Sequence, residues 1–107
     1  MGNQDTLRLI ERPVLDLDGQ PVMESEDNPL TITEAAVRAL LSANVIMESV
    51  DKARRFYLAQ KIKRAWPEDL SRQDRDIIYS AVECMFPPLI AGRVHEVLYA
   101  GDNEDIG

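Results

Sequence analysis

At 107 residues the chain has room for one domain around one modest hydrophobic core. Its 12 basic and 19 acidic residues leave a formal net charge of −7 and a pI near 4.6, which excludes a surface that binds nucleic acid all over. Cys84 is the single cysteine, so no internal disulfide and no cysteine-built zinc site is possible within one chain, and no apolar run reaches the roughly 18 residues of a membrane span.

The opening stretch, MGNQDTLRLIERP, lacks the apolar centre of a secretory signal; with one thiol, this points to a reducing, cytoplasmic location. MGNQDT also fits the M-G-x-x-x-[ST] lipidation pattern, a short motif that a chain starting Met-Gly meets easily. Residues 1–30 read as an acidic extended arm or short β-hairpin. In RPVLDLDGQPVME, Val14, Leu17 and Val22 alternate with polar groups around Asp18-Gly19, a pair that supplies the positive φ of a tight turn. Pro13 and Pro21 limit strand pairing, so no independent sheet is expected.

Residues 31–100 read as a helical domain. In TITEAAVRALLSA, Thr31 and Glu34 stand at capping-box spacing, and Ile32, Ala36, Val37, Leu40 and Leu41 recur at the helical period. ANVIMES then continues or bends this helix. The second helix is predicted from about Val50 to Ala65, with Ser49 as its cap, an apolar stripe of Leu58, Ile62 and Ala65, and Pro67 as its stop. Ser71 caps a third, with Asp74 and Asp76 in its first turns and Ile78, Ala81, Val82 and Met85 on its inner face. Pro88 opens a fourth, which buries Ile90, Val94, Val97 and Leu98 and stops at Gly101. Gly92 costs roughly 1 kcal/mol inside a helix, which predicts the close approach of another helix backbone. Residues 101–107 read as a disordered acidic tail. The expected fold is therefore mainly α, a compact four-helix domain with an N-terminal extended arm or short hairpin.

The charge is segregated. Residues 52–66 hold six cations and no acid, so the other six cations face all nineteen acids. At 100° per residue, Arg54, Tyr57, Lys61 and Arg64 share one side of the second helix. Arg55 lies by the apolar stripe, where its stem packs and its head reaches water. Either this helix balances acids such as Asp74 and Asp76, or it meets a carboxylate-rich partner. Around the two prolines, Phe86, Leu89 and Arg93 form a second candidate contact, unless they only finish the core.

Chemistry is poorly represented. Cys84 and His95 are the only nucleophile–base candidates, nothing in the sequence orients them, and Cys84 reads as core. Asp16, Asp18 and Gly19 echo the start of a calcium loop, but Pro21, Val22 and Met23 stand where oxygen ligands are needed. No catalytic residue, metal or cofactor is expected.

The order NPLTITEAAVRALL, RRFYLAQKI, DLSRQDRDII and PPLIAGRVHEVL, over roughly residues 28–99, resembles a group of small phage and prophage proteins. That resemblance implies a bacteriophage-encoded cytoplasmic protein without a catalytic site. The function expected is a non-enzymatic protein–protein interaction, with a phage or host protein or by self-association, in assembly or in control of host machinery. The alternatives are an inhibitor that mimics nucleic acid through Asp16, Asp18, Glu24, Glu26 and Asp27, or a nucleic-acid binder acting through residues 52–64. Nucleic acid is disfavoured by the surplus of acids, and no membrane contact is expected.

Overall fold

The computed structural model describes residues 12–64 and 70–100. The lipidation pattern, the end of the second helix at Ala65–Pro67 and the acidic tail lie outside the described residues. In chain order the elements are β1 (Met23–Ser25), β2 (Asn28–Pro29), α1 (Ile32–Leu41), α2 (Lys52–Arg64), α3 (Arg72–Met85) and α4 (Pro88–Leu98). The fold is mainly α, four packed helices with a short antiparallel hairpin on the N-terminal side, as the sequence predicts.

α1 touches each of the other three helices. A helix surrounded in this way needs a slim surface, and Ala35, Ala36 and Ala39 supply it, all fully buried between Ile32 and Leu40. α1 starts where Thr31 Oγ1 accepts from the Glu34 N–H at 3.1 Å. Glu34 turns its carboxylate to Arg38, one turn on, at 3.3 Å. The helix ends at Leu41 rather than continuing through ANVIMES, and residues 42–51 form a loop.

The other helices follow their local signals with some shifts. α2 starts at Lys52, so Asp51 rather than Ser49 precedes it, and the Arg55 N–H donates to the Asp51 carbonyl at 3.2 Å. Ser71 caps α3 by accepting from the Asp74 N–H at 3.0 Å, and Phe86 closes that helix just before Pro87. Pro88 opens α4. The inner faces centre on Leu58 and Ile62, on Ile77, Ile78, Ala81 and Val82, and on Ile90, Ala91, Val94 and Leu98. Two predicted core positions depart from this pattern: Leu41 is 55% exposed and Met85 43%. Cys84, also expected inside, is exposed because Ile77, Ile78, Ala81 and Val82 take the inward face of α3.

The N-terminal segment is part of the same core. Val14 N–H donates to the Leu30 carbonyl, Leu30 N–H to Val22 and Val22 N–H to Val14, each at 2.8 Å. Three short extended pieces thus close on one another, and Pro13 and Pro21 pair within them, facing Thr31 and Leu15. Val14 and Leu30 pack with the helices in one hydrophobic cluster. At the tip, Gly19 N–H donates to the Asp16 carbonyl at 3.1 Å, and Gly19 alone takes a positive φ, +85°. This is a three-residue hairpin loop with a left-handed glycine, not a two-residue turn with positive φ at both positions. Asp16 Oδ1 secures it by accepting from the backbone N–H groups of Asp18 and Gln20, both at 2.9 Å.

Gly92 does not mark a helix contact. It is exposed, and nothing lies within 4 Å of where a Cβ would stand. With helical φ and open space, Gly92→Ala raises the unfolding free energy by about 0.5–1 kcal/mol, to be read from chemical denaturation.

Candidate functional site: the outer side of α2

α2 positions its residues by a simple division. Arg55, Leu58, Ala59 and Ile62 are buried, which turns Phe56, Tyr57, Gln60, Lys61, Lys63 and Arg64 outward. The six cations of the helix therefore meet different fates.

Arg55 is the one that the sequence misplaces. Only 6% exposed, its guanidinium does not reach water. Nε donates to the Leu40 carbonyl at 2.9 Å, Nη1 to Val45 at 2.9 Å, and Nη2 to Ala39 at 3.2 Å and Ser42 at 2.8 Å. Three of these acceptors close the last turn and cap of α1, where the helix dipole is negative and the Ala39 and Ser42 carbonyls receive only long 3.4 Å backbone bonds, from the Ser42 and Val45 N–H groups. The fourth fixes the loop beyond. No carboxylate takes part. α1 has no C-terminal glycine to end it, and the planar fork of Arg55 does that work instead. A cation three, four and seven residues before Leu58, Ala59 and Ile62 lies on their stripe, and that spacing is the signal that foretells its burial.

Arg54 is also held inside the protein. Its Nη2 meets Asp74 Oδ1 at 2.6 Å, tying α2 to the first turn of α3. This pair realises part of the charge balancing that the acids after α2 predict. The arm, by contrast, does not fold over α2: Glu24 binds Arg38 of α1 through two hydrogen bonds. That pairing holds the Glu24 carboxyl below its ordinary pKa.

The remaining four cations, Lys52, Lys61, Lys63 and Arg64, are exposed and have no carboxylate partner among the described residues. Lys61, Lys63 and Arg64 fall in the last turn, where they also favour the helix dipole. Between them stands Tyr57, 63% exposed, its ring edge-on to Phe56 with centroids 5.4 Å apart. Of the predicted set, Tyr57, Lys61 and Arg64 thus form one outward face, with Arg54 at its edge and tied to Asp74.

The second predicted set behaves differently. Phe86 caps α3 and packs half-buried against the core, and Leu89 is half-buried in the first turn of α4. Arg93 donates to the carbonyls of Leu15 at 2.8 Å and Asp16 at 2.9 Å, and to Glu96 at 3.0 Å, so it pins the hairpin to α4. Its role is internal.

His95 and Cys84 do not meet as a pair. His95 is exposed and its ring lies tilted by 37° against Tyr99, centroids 4.5 Å apart, with Tyr79 edge-on at 5.0 Å. Tyr99 donates its hydroxyl to Asp76, and burial and that bond push its phenol well above the ordinary value. These rings join α3 to α4. Among the described residues no group of three or more potential ligands could hold a metal ion, and no helix is long and apolar enough to cross a membrane.

Comparison with protein-family models, with curated proteins and with solved structures gave no match.

Proposed function

We propose that this protein is a non-enzymatic binding module that docks an acidic protein partner on the outer side of α2. The observation that carries this reading is the group Tyr57, Lys61 and Arg64: an exposed aromatic ring between cations that no carboxylate of the described chain engages. A ring and flexible cations together provide contact area and charge steering at one face. The phage-like order of the helices supports a cytoplasmic setting in assembly or in control of host machinery. The reading as a nucleic-acid mimic has less support, because Asp16 closes its own turn and Glu24 is bonded to Arg38.

Crosslinked capture from cells expressing the protein tests this. The variant Tyr57→Gln/Lys61→Gln/Arg64→Gln loses the captured protein, while Asp18→Asn/Glu26→Gln/Asp27→Asn retains it. The reverse pattern overturns the reading in favour of the acidic mimic.

A further inference from the structure

Beside the charged face, the seam between α1 and α2 opens into a groove of about 280 Å³ lined by Val37, Leu41, Phe56, Ala59, Gln60 and Lys63. Leu41 and Phe56 are 55% and 50% exposed, Leu41 although the helical period places it on the inner stripe of α1. The same two residues also line a larger hollow of about 650 Å³ that leads on to Ile46, itself 77% exposed. Leu41, Ile46 and Phe56 thus form one apolar track across the C-terminal end of α1. Isolated exposed apolar residues need no explanation, but a contiguous, concave set rimmed by polar groups marks an interaction surface.

The track is rigid. Arg55 fixes the end of α1 and the carbonyl of Val45, next to Ile46, so the walls are set before any partner arrives. Its width, a seam between two helices, suits a third helix presenting apolar residues at i, i+4 and i+7. Charge selects which helix. The α2 wall carries Lys63, with Arg64 next to it in the chain and Lys52 at the larger hollow, and no acid stands anywhere in that helix. On α1, Glu34, outside the groove lining, is already bonded to Arg38. The larger hollow also includes Glu48 and Asp51, which puts the favourable charge at the Lys63 end. A second copy is a poor occupant: a two-fold pairing through this face would set the cations of α2 against themselves.

We infer that the α1–α2 seam is the docking groove for an amphipathic helix with acidic flanks, belonging to a different protein. This rests on the binding function proposed above and names the chemistry of the partner. The helix lays its apolar face over Leu41 and Phe56 and sets its carboxylates over Lys63 and the neighbouring Arg64.

The test is selection of a ribosome-displayed library of helical peptides against the full chain, followed by titration of the winners. Enrichment of apolar residues at helical spacing with flanking Asp and Glu is expected. Leu41→Gln or Phe56→Gln should each weaken the winning peptide about tenfold or more, equivalent to about 1.4 kcal/mol, and Lys63→Glu should weaken it as well. No enrichment, enrichment of basic peptides, or indifference to Leu41 and Phe56 overturns the inference. So does concentration-dependent dimerisation of the protein that Phe56→Gln abolishes, since the occupant is then a second copy. If the Tyr57/Lys61/Arg64 variant still loses its captured protein while no peptide enters the groove, the binding function stands and only the groove falls.

Discussion

Replacing Arg55 by methionine lowers the unfolding free energy by about 3–5 kcal/mol, a large share of what a chain of this size possesses. Methionine restores the volume and the apolar stem. It does not restore the four hydrogen bonds to the carbonyls of Ala39, Leu40, Ser42 and Val45; Ala39 and Ser42 then keep only 3.4 Å backbone bonds, and Leu40 and Val45 are buried. Arg55→Lys recovers little of the loss, because an ammonium is a point donor and cannot span acceptors spread over seven residues of α1 and its loop. Denaturant midpoints for both variants check this. The α1–α2 groove is bounded by the end of α1 that Arg55 fixes, so peptide binding weakens in parallel.

Val14 carries the second large effect. Its side chain is fully buried, and its backbone sits at the meeting point of the three extended pieces. Val14→Ala costs about 2 kcal/mol through lost burial, and Val14→Asp costs more than about 4 kcal/mol because a carboxylate is placed in the hydrophobic cluster. Loss of cooperative unfolding in the aspartate variant is the expected calorimetric result. Were residues 12–30 only an arm laid on the surface, the aspartate would be tolerated.

The helices were legible in the sequence because each is announced by local chemistry. Thr31 and Ser71 cap with their hydroxyls, Pro87 and Pro88 separate α3 from α4, and inner faces such as Ile78–Ala81–Val82 recur at the helical period. What escaped is set by tertiary contacts. The burial of Arg55 depends on carbonyls at the end of α1, fifteen residues earlier, that the Ser42 cap leaves underbonded. The internal role of Arg93 depends on the carbonyls of Leu15 and Asp16, nearly eighty residues earlier. The helix-propensity cost of Gly92 points to a packing residue, yet Gly92 faces open space. The exposure of Leu41 is invisible to periodicity, since the last residue of a helix can continue its stripe beyond the neighbour that would cover it.

Spacing placed Arg54, Tyr57, Lys61 and Arg64 on one side, and three of them do form the outer face of α2. Which cations are engaged inside the fold could not be read from the helix itself, because the partners lie elsewhere: Asp74 on α3 for Arg54, and carbonyls of α1 and its loop for Arg55. The apolar half of the site, Leu41 with Phe56, comes from two different helices and emerges only when they pack.

The account stands on a division of labour within α2: Arg55 holds the fold, while Tyr57, Lys61 and Arg64 are available to a partner. Urea unfolding of Tyr57→Gln/Lys61→Gln/Arg64→Gln beside Arg55→Met measures that division directly. The triple variant is predicted to lose about 1 kcal/mol or less, the modest share that the two cations contribute through the helix dipole. A loss as large as that of Arg55→Met would mean that these residues hold the domain together, and would contradict the account.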